Sequence, residues 1–284
     1  MKIIKYELNN CKGYGILTKS GLVKDITSIL LRHKAPFVTM DMINILNKTS
    51  TDDLPEVENI KHENIKSPIT HLSNIICLGL NSQQHINEIE RKNTHKTPTI
   101  FFKKNTSLTD PYGDVIYPKI AKKVDWEGEV SFIVGKRAKN VPEKDAANYI
   151  LGFALLNDIS DRYWQFEEGN MEFGKAKSFD TFAPFGPYLV TIDEIQDTNK
   201  IDISLKVNGI TKQRFDSSEY LYDAFKTLSF CSSFFTLMPG DIIAMGTGPG
   251  VGHGTGEYLK IGDTIELSSS ILGTQINKIV MENQ

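Results

Sequence analysis

Ile201, Ile203, Leu205 and Val207 alternate with polar residues and run straight into Asn208-Gly209. A type I′ turn needs positive φ at both central residues, which Asn-Gly supplies, so this segment predicts an antiparallel hairpin with one buried face. The turns at 238–241 (MPGD) and 260–263 (KIGD) each launch a further alternating run, IIAM and TIEL, which read as strands of the same sheet system. Two helices interrupt the strands. One starts near Pro142, a residue suited to a first helical turn. The other starts at Asp216, with Glu219 completing an acidic capping box and Leu221, Phe225, Leu228 and Phe235 marking its buried face. Upstream, residues 2–8 and 15–18 predict a hairpin around the turn 9–13. Leu22, Ile26, Ile29 and Leu30 have helical spacing, as do Met42, Ile45 and Leu46. The polar stretch 47–68 reads as a linker or wrapped boundary. The expectation is an α+β protein: a small N-terminal α+β domain with its linker over 1–70, and a mostly β domain with a few covering helices over 71–284.

Charge and cysteine content exclude several functions. Thirty-two Lys+Arg against thirty-five Asp+Glu give a formal charge of −3, which leaves no basic footprint for a nucleic-acid backbone. The longest apolar run, 150–156, is far short of the roughly 20 residues that span a bilayer, and residues 1–10 turn polar before a signal-peptide core can form. A soluble, cytoplasmic protein is expected. Cys11, Cys77 and Cys231 are odd in number and lack CxxC spacing, which argues against a disulfide framework or a thiolate zinc site.

The carboxylates are the best chemical lead. In VDWEGEVSFIVGK the strand that puts Val130, Phe132 and Val134 on one face puts Glu127 and Glu129 together on the other. Asp158 ends the apolar run of YILGFALLND, where a lone buried carboxylate is costly unless it is paired or metal-bound. Three oxygen ligands with water in the remaining positions suit Mg²⁺, although solvent-facing acidic pairs on strands are common and that alternative stays open. In GLNSQQHINEIE, His85 and Glu88 are three apart, so on a helical turn the carboxylate orients the imidazole as a base; a surface pair is the bland alternative. The Gly-rich run 246–256 fits neither GxGxxG nor a Walker loop, and instead implies close backbone approach. His253 within it, like Lys175 and Arg137, reads as solvent-exposed.

In this order the segments resemble the fumarylacetoacetate hydrolase superfamily over essentially all of the chain after Leu72. The pieces that carry the resemblance are GLNSQQHINE, PTIFFKKNTSL, VDWEGEVSFIVGK, YILGFALLNDISDRYWQ, KSFDTFAPFGPYLVT, VNGITKQ, LMPGDIIAMGTGPGVG and YLKIGDTIEL. The N-terminal 27 residues are similar to the family's small leading domain, more weakly. The resemblance implies a β-roll or irregular barrel, a homodimer, and a divalent metal at the barrel mouth, Mg²⁺ or else Mn²⁺ or Ca²⁺. It matches Glu127, Glu129 and Asp158 to the metal carboxylates, and His85 and Glu88 to a water-activating dyad on a segment that in relatives often orders only with substrate. Lys177 matches the active-site lysine, Arg162 and Gln165 match substrate-oxygen contacts, and Thr247 matches the threonine that holds a carboxylate. Ser82 stands where the family has tyrosine, and Met245 and Gly248-Pro249 replace the usual TGTP, departures expected to lie near the substrate.

The implied activity is Mg²⁺-dependent hydrolysis of a carbon–carbon bond in a 2,4-diketo acid of the acylpyruvate or fumarylpyruvate type. Oxaloacetate decarboxylation, or isomerisation or hydration of an unsaturated 2-oxo acid, uses the same enolate stabilisation. A catalytically inactive metal-bound scaffold is the non-enzymatic alternative.

Overall fold

The computed structural model describes residues 1–35, 37–69, 74–88, 97–168 and 170–283. Its centre is the strand Gly128–Val134, buried along its whole length. Val130, Phe132 and Val134 enter one hydrophobic cluster and Ile133 another, so both faces of the strand are covered. It pairs antiparallel with Ile150–Asn157 on one side and Ile242–Thr247 on the other. The latter runs parallel to Ile75–Gly79, which pairs with Thr99–Lys103. In the opposite direction Ile150–Asn157 pairs with Ala183–Thr191 and this with Lys2–Leu8, so the N-terminal strands extend the same twelve-stranded sheet.

A five-stranded sheet packs on one face. Its members Asp202–Val207, Thr264–Ser269 and Gly273–Met281 place Ile203, Leu205, Ile265, Leu267 and Ile279 in one cluster with Val130, Phe132, Phe153 and Leu155. On the other face the helices Thr27–Arg32 and Met40–Leu46 bring Leu30, Met42, Ile43 and Leu46 into a cluster with Leu151, Leu156 and Ile242. Burying the large aliphatic and aromatic side chains of both layers is the dominant stabilising term, at about 1.5–3 kcal/mol for each fully buried one. The result is a sheet-dominated α+β fold, as the pattern implied.

The Asn208-Gly209 hairpin forms as expected, with φ of 50° and 79° at its central residues. Other boundaries moved. The first hairpin turns on Asn9 and Asn10 alone, both at positive φ, so its second strand begins at Cys11 instead of Gly15. Leu22 precedes a short strand, Val23–Asp25, and is largely exposed. Asp216 caps only a 3-10 turn, Ser217–Glu219; the helix proper is Ala224–Phe234, whose Asp223 accepts from the Lys226 amide at 2.8 Å. Asp216 and Asp223 carry the same capping signal, and the hydrophobic period does not distinguish which of them starts the helix. The element after Pro142 is also 3-10, Glu143–Tyr149, and the proline sits before it with extended ψ. The runs after MPGD and KIGD belong to different sheets. Cys77 and Cys231 are buried and Cys11 exposed, all unbridged. No helix among the described residues is long and apolar enough to cross a membrane.

Gly152 packs tightly against the neighbouring strand: a Cβ there would lie 2.2 Å from the Val190 carbonyl oxygen and 2.9 Å from the Thr191 Cα. Gly152→Ala must push Ala183–Thr191 away and should cost about 3 kcal/mol in a urea melt; a loss within error of zero would mean that the sheet gives way freely.

Candidate active site

Glu127 sits just before the central strand. Its backbone N–H donates to the Asn157 side chain at 3.1 Å and its carbonyl accepts from the Asp158 amide at 2.8 Å. This cross-strand clasp holds Glu127 beside Asp158, where the Ile150–Asn157 strand ends. Glu129 lies two residues on, opposite Thr247. There the register slips: between the Glu129–Thr247 and Ser131–Ala244 pairs, Val130 alone faces both Met245 and Gly246. Gly246 absorbs the extra residue at φ 94° and turns its N–H onto Glu129 Oε2 at 2.8 Å. A side chain at Gly246 would meet the Leu78 carbonyl oxygen at 2.9 Å, so the site depends on glycine there. Ligand oxygens of Glu127, Glu129 and Asp158 lie within 4.8 Å of one another, all buried.

Three buried cations answer these carboxylates. Lys177 Nζ donates to Glu127 Oε2 at 2.7 Å and Asp158 Oδ2 at 2.8 Å. Lys103 Nζ donates to Asp158 Oδ1 at 2.5 Å and to the Ile159 carbonyl at 3.1 Å. Arg162 divides its guanidinium between Asp125 (Nε, 2.8 Å), Glu127 (Nη2, 2.5 Å) and the Gln165 side-chain oxygen (Nη1, 2.8 Å). Burial alone would raise the Glu127 pKa, but Arg162, Lys177 and His85 overcome it and hold the carboxylate well below its ordinary value. Glu129 goes the other way: burial, then Asp158 and Glu127, push it well above 4.5. For Lys177 burial would lower the pKa, yet Asp158 and Glu127 outweigh it and keep the ammonium charged.

His85 and Glu88 lie on the short helix Gln83–Glu88 and do meet, Nδ1 to Oε2 at 3.2 Å. Glu88 is fixed in turn by the Gly250 amide, which donates to its Oε1 at 2.8 Å. The continuation of this segment, 89–96, lies outside the described residues, as does the expected domain boundary at 70/71.

A small, partly open pocket lies over the cluster. His85, Glu127, Glu129, Arg162, Gln165, Lys177 and Thr247 line it, with Asp158 and Glu88 bonded directly behind them. Thr247 is less available than expected: its hydroxyl donates to the Gly128 carbonyl at 3.1 Å and accepts from Gln213 at 2.8 Å. The departures from the family pattern miss the pocket wall. Ser82 accepts from the His85 amide at 3.3 Å, Met245 packs in the core, and Gly248 lies against the Phe215 ring. His253 is exposed as expected, yet it also lines the pocket, stacked 4.7 Å from Phe166.

Sequence reasoning missed Lys103 and Asp125. Asp125 is fully buried and accepts from the Trp126, Gly252 and His253 amides as well as from Arg162. The alternation that joined Glu127 to Glu129 reaches Asp125 one step earlier. Lys103 was readable as a lysine closing the otherwise apolar strand Thr99–Lys103. The aromatic wall of Phe101, Phe166 and Phe173 carried no signal of its own.

Residues 74–280 match the family model described as fumarylacetoacetate (FAA) hydrolase C-terminal. The chain belongs to the fumarylacetoacetate hydrolase family. Among its relatives, the mitochondrial oxaloacetate tautomerase Fahd2a of Rattus norvegicus is 38% identical over 216 residues, 75% of this chain and 68% of that one. The 2,4-didehydro-3-deoxy-L-rhamnonate hydrolase of Sphingomonas sp. (strain SKA58) is 32% identical over 283 residues, 98% and 96% of the two chains. Of the solved structures, the fumarylacetoacetate hydrolase from psychrophilic Exiguobacterium antarcticum superposes with a TM-score of 0.84 at 27% identity, covering 99% of this chain and 100% of that one.

Two predictions follow from the ion cluster. Arg162→Ala leaves Asp125 and Glu127 buried without their cation and should cost about 3–5 kcal/mol, read as a fall in urea midpoint; a loss under 1 kcal/mol would mean that water replaces the guanidinium. Glu129 binds its proton more tightly folded than unfolded, so in metal-free protein it imposes no penalty below pH 4.5 and a growing one as pH rises through its folded pKa. In chelator, Glu129→Gln should therefore match the wild type below pH 4.5 and exceed it in melting temperature at higher pH. A pH-independent difference would contradict this reading.

Proposed function

We propose that this protein is a metal-dependent hydrolase that cleaves a carbon–carbon bond in a 2,4-diketo acid of the acylpyruvate class. The observation that carries the reading is the convergence on one small pocket of three buried carboxylates, a charged lysine and a His–Glu dyad. An all-oxygen donor set in which one carboxylate is pushed toward protonation by its neighbours fits a hard divalent cation, Mg²⁺ or Mn²⁺ before Ca²⁺. Glu127, Glu129 and Asp158 would hold it, and when bound it would supply Lewis acidity toward the two oxygens of a 2-oxo acid.

The chain's own groups account for the rest. With Nδ1–H donated to Glu88, His85 presents Nε2 as the acceptor of a proton from water, whose oxygen attacks the carbonyl distal to the acid. As the carbon–carbon bond breaks, its electron pair passes to the pyruvyl fragment, and Lys177, held charged by Glu127 and Asp158, stabilises it and delivers a proton. Gln165, oriented by Arg162, holds a substrate oxygen, while Arg162 acts chiefly by fixing Glu127 and Gln165. Thr247 contributes as a wall residue that sets the register beside Glu129. A homodimer in the cytoplasm is part of the same proposal.

A second reading has its own support, since one similar relative is an oxaloacetate tautomerase. There the same base and lysine would exchange a proton on a 2-oxo acid with no attack by water. The discriminating experiment follows the ultraviolet absorbance of acetylpyruvate with Mg²⁺ and with excess chelator, and assays pyruvate and acetate directly. Metal-dependent release of both products supports hydrolysis; enol–keto interconversion without release supports the second reading. Glu127→Ala should abolish Mg²⁺ binding and turnover. His85→Ala should still bind Mg²⁺ but lose about 10²–10⁴-fold in kcat, and hydrolysis retained in that variant would remove the histidine from the mechanism.

A further inference from the structure

We infer that the acid accepted here carries its only carboxylate at the 2-oxo end and an uncharged, apolar group at the other, seated against Phe101, Phe166 and Phe173. The inference rests on the proposed use of the pocket for a 2-oxo acid and narrows its substrate class.

The first observation is how the buried charges balance. Asp125, Glu127, Glu129 and Asp158 face Lys103, Lys177 and Arg162, all buried. With a divalent cation on the three clustered carboxylates these seven charges sum to +1, and Glu88 beside His85 brings the sum to zero, so no positive charge is left over for a second substrate carboxylate. A second carboxylate would leave an uncompensated negative charge in a low-dielectric pocket, with the Glu88 carboxylate behind His85 adding to the repulsion. Nor are the cations near the cluster available to a distal carboxylate. Each of the three Arg162 nitrogens is bonded to a protein oxygen, and Lys177 bridges two carboxylates.

The second observation is the wall itself. Phe101 and Phe173 lie with ring centroids 5.0 Å apart, and Phe166 is stacked on His253. Leu78, Leu80 and Val251 complete the apolar lining. Gly79 borders the same wall: a Cβ there would lie in ordinary contact with both rings, at 3.8 and 3.9 Å. Such a surface gains by burying methylene or aryl groups and loses by desolvating a carboxylate.

The test is calorimetric binding of stable 2-oxo acids to the Mg²⁺-loaded full chain, so that it does not depend on turnover. The wild type should bind 2-oxohexanoate and phenylpyruvate at least about tenfold more tightly than 2-oxoadipate, and Phe173→Ala should shrink that ratio. Equal or tighter binding of the diacid by the wild type, or no binding of any of the three, overturns the inference. The acetylpyruvate assay stands apart from this one. Cleavage without an apolar preference in binding sinks this inference alone, whereas the preference without cleavage leaves it standing and sinks the hydrolytic reading alone.

Discussion

Seven charged side chains buried in one cluster are the constraint to which the rest of this structure answers. Taking a carboxylate or ammonium out of water costs several kcal/mol per ion even after relaxation, and pairing returns it only when the geometry is good. The geometry here is good because the charges come from separate elements held by main-chain bonds. Asp125 and Glu127 precede the central strand and Glu129 lies on it; Asp158 follows the neighbouring strand, Lys103 closes Thr99–Lys103, and Lys177 ends the short helix Phe173–Lys177. A cluster assembled in this way adds little net stability compared with an apolar core of equal volume. Its retention is better explained by what the carboxylates can bind.

The sheet order follows from the same need. The central strand must have Ile150–Asn157 on one side to deliver Asp158 and Ile242–Thr247 on the other to deliver the Gly246 amide. A regular ladder could not do the second, since alternation would send the Gly246 N–H along the sheet. The slipped register at Gly246 redirects it. With both faces of these strands covered, one by the five-stranded sheet and the other by the N-terminal helices, the charges lie where the local dielectric is low. The first seventy residues thus share in the burial of the site's supporting strands without lining the pocket.

How much of this was legible depended on whether a residue's role was set locally. Glu127 and Glu129 were readable because strand alternation is a local rule, and Asp158 because an acid at the end of an apolar run demands a partner. The Asn208-Gly209 hairpin was readable because its turn chemistry is contained in two residues. The start of the Ala224–Phe234 helix was not, because Asp216 and Asp223 offer the same cap and only tertiary packing chooses between them. The resemblance added Lys177, Arg162 and Gln165, whose convergence spans 16 residues of chain and no local pattern encodes. It also placed the Ser82 and Gly248 departures near the substrate. The fold instead uses Ser82 to cap the helix of His85 and Gly248 to make room for Phe215.

The same geometry bears on the choice between hydrolysis and proton exchange. Both reactions need a base, a charged lysine and a cation, so those groups cannot discriminate. The base is held from outside the cluster: Glu88 is tied to Gly250, on the loop whose Gly252 and His253 amides bind Asp125, the partner of Arg162. His85 is thereby linked, through Glu88 and the amides of this loop, to the groups that hold Glu127. An imidazole oriented in this way can serve an attacking water as readily as a carbon-bound proton. The choice then rests on how a substrate's distal carbonyl is held relative to His85, and not on the charged groups that the two reactions share.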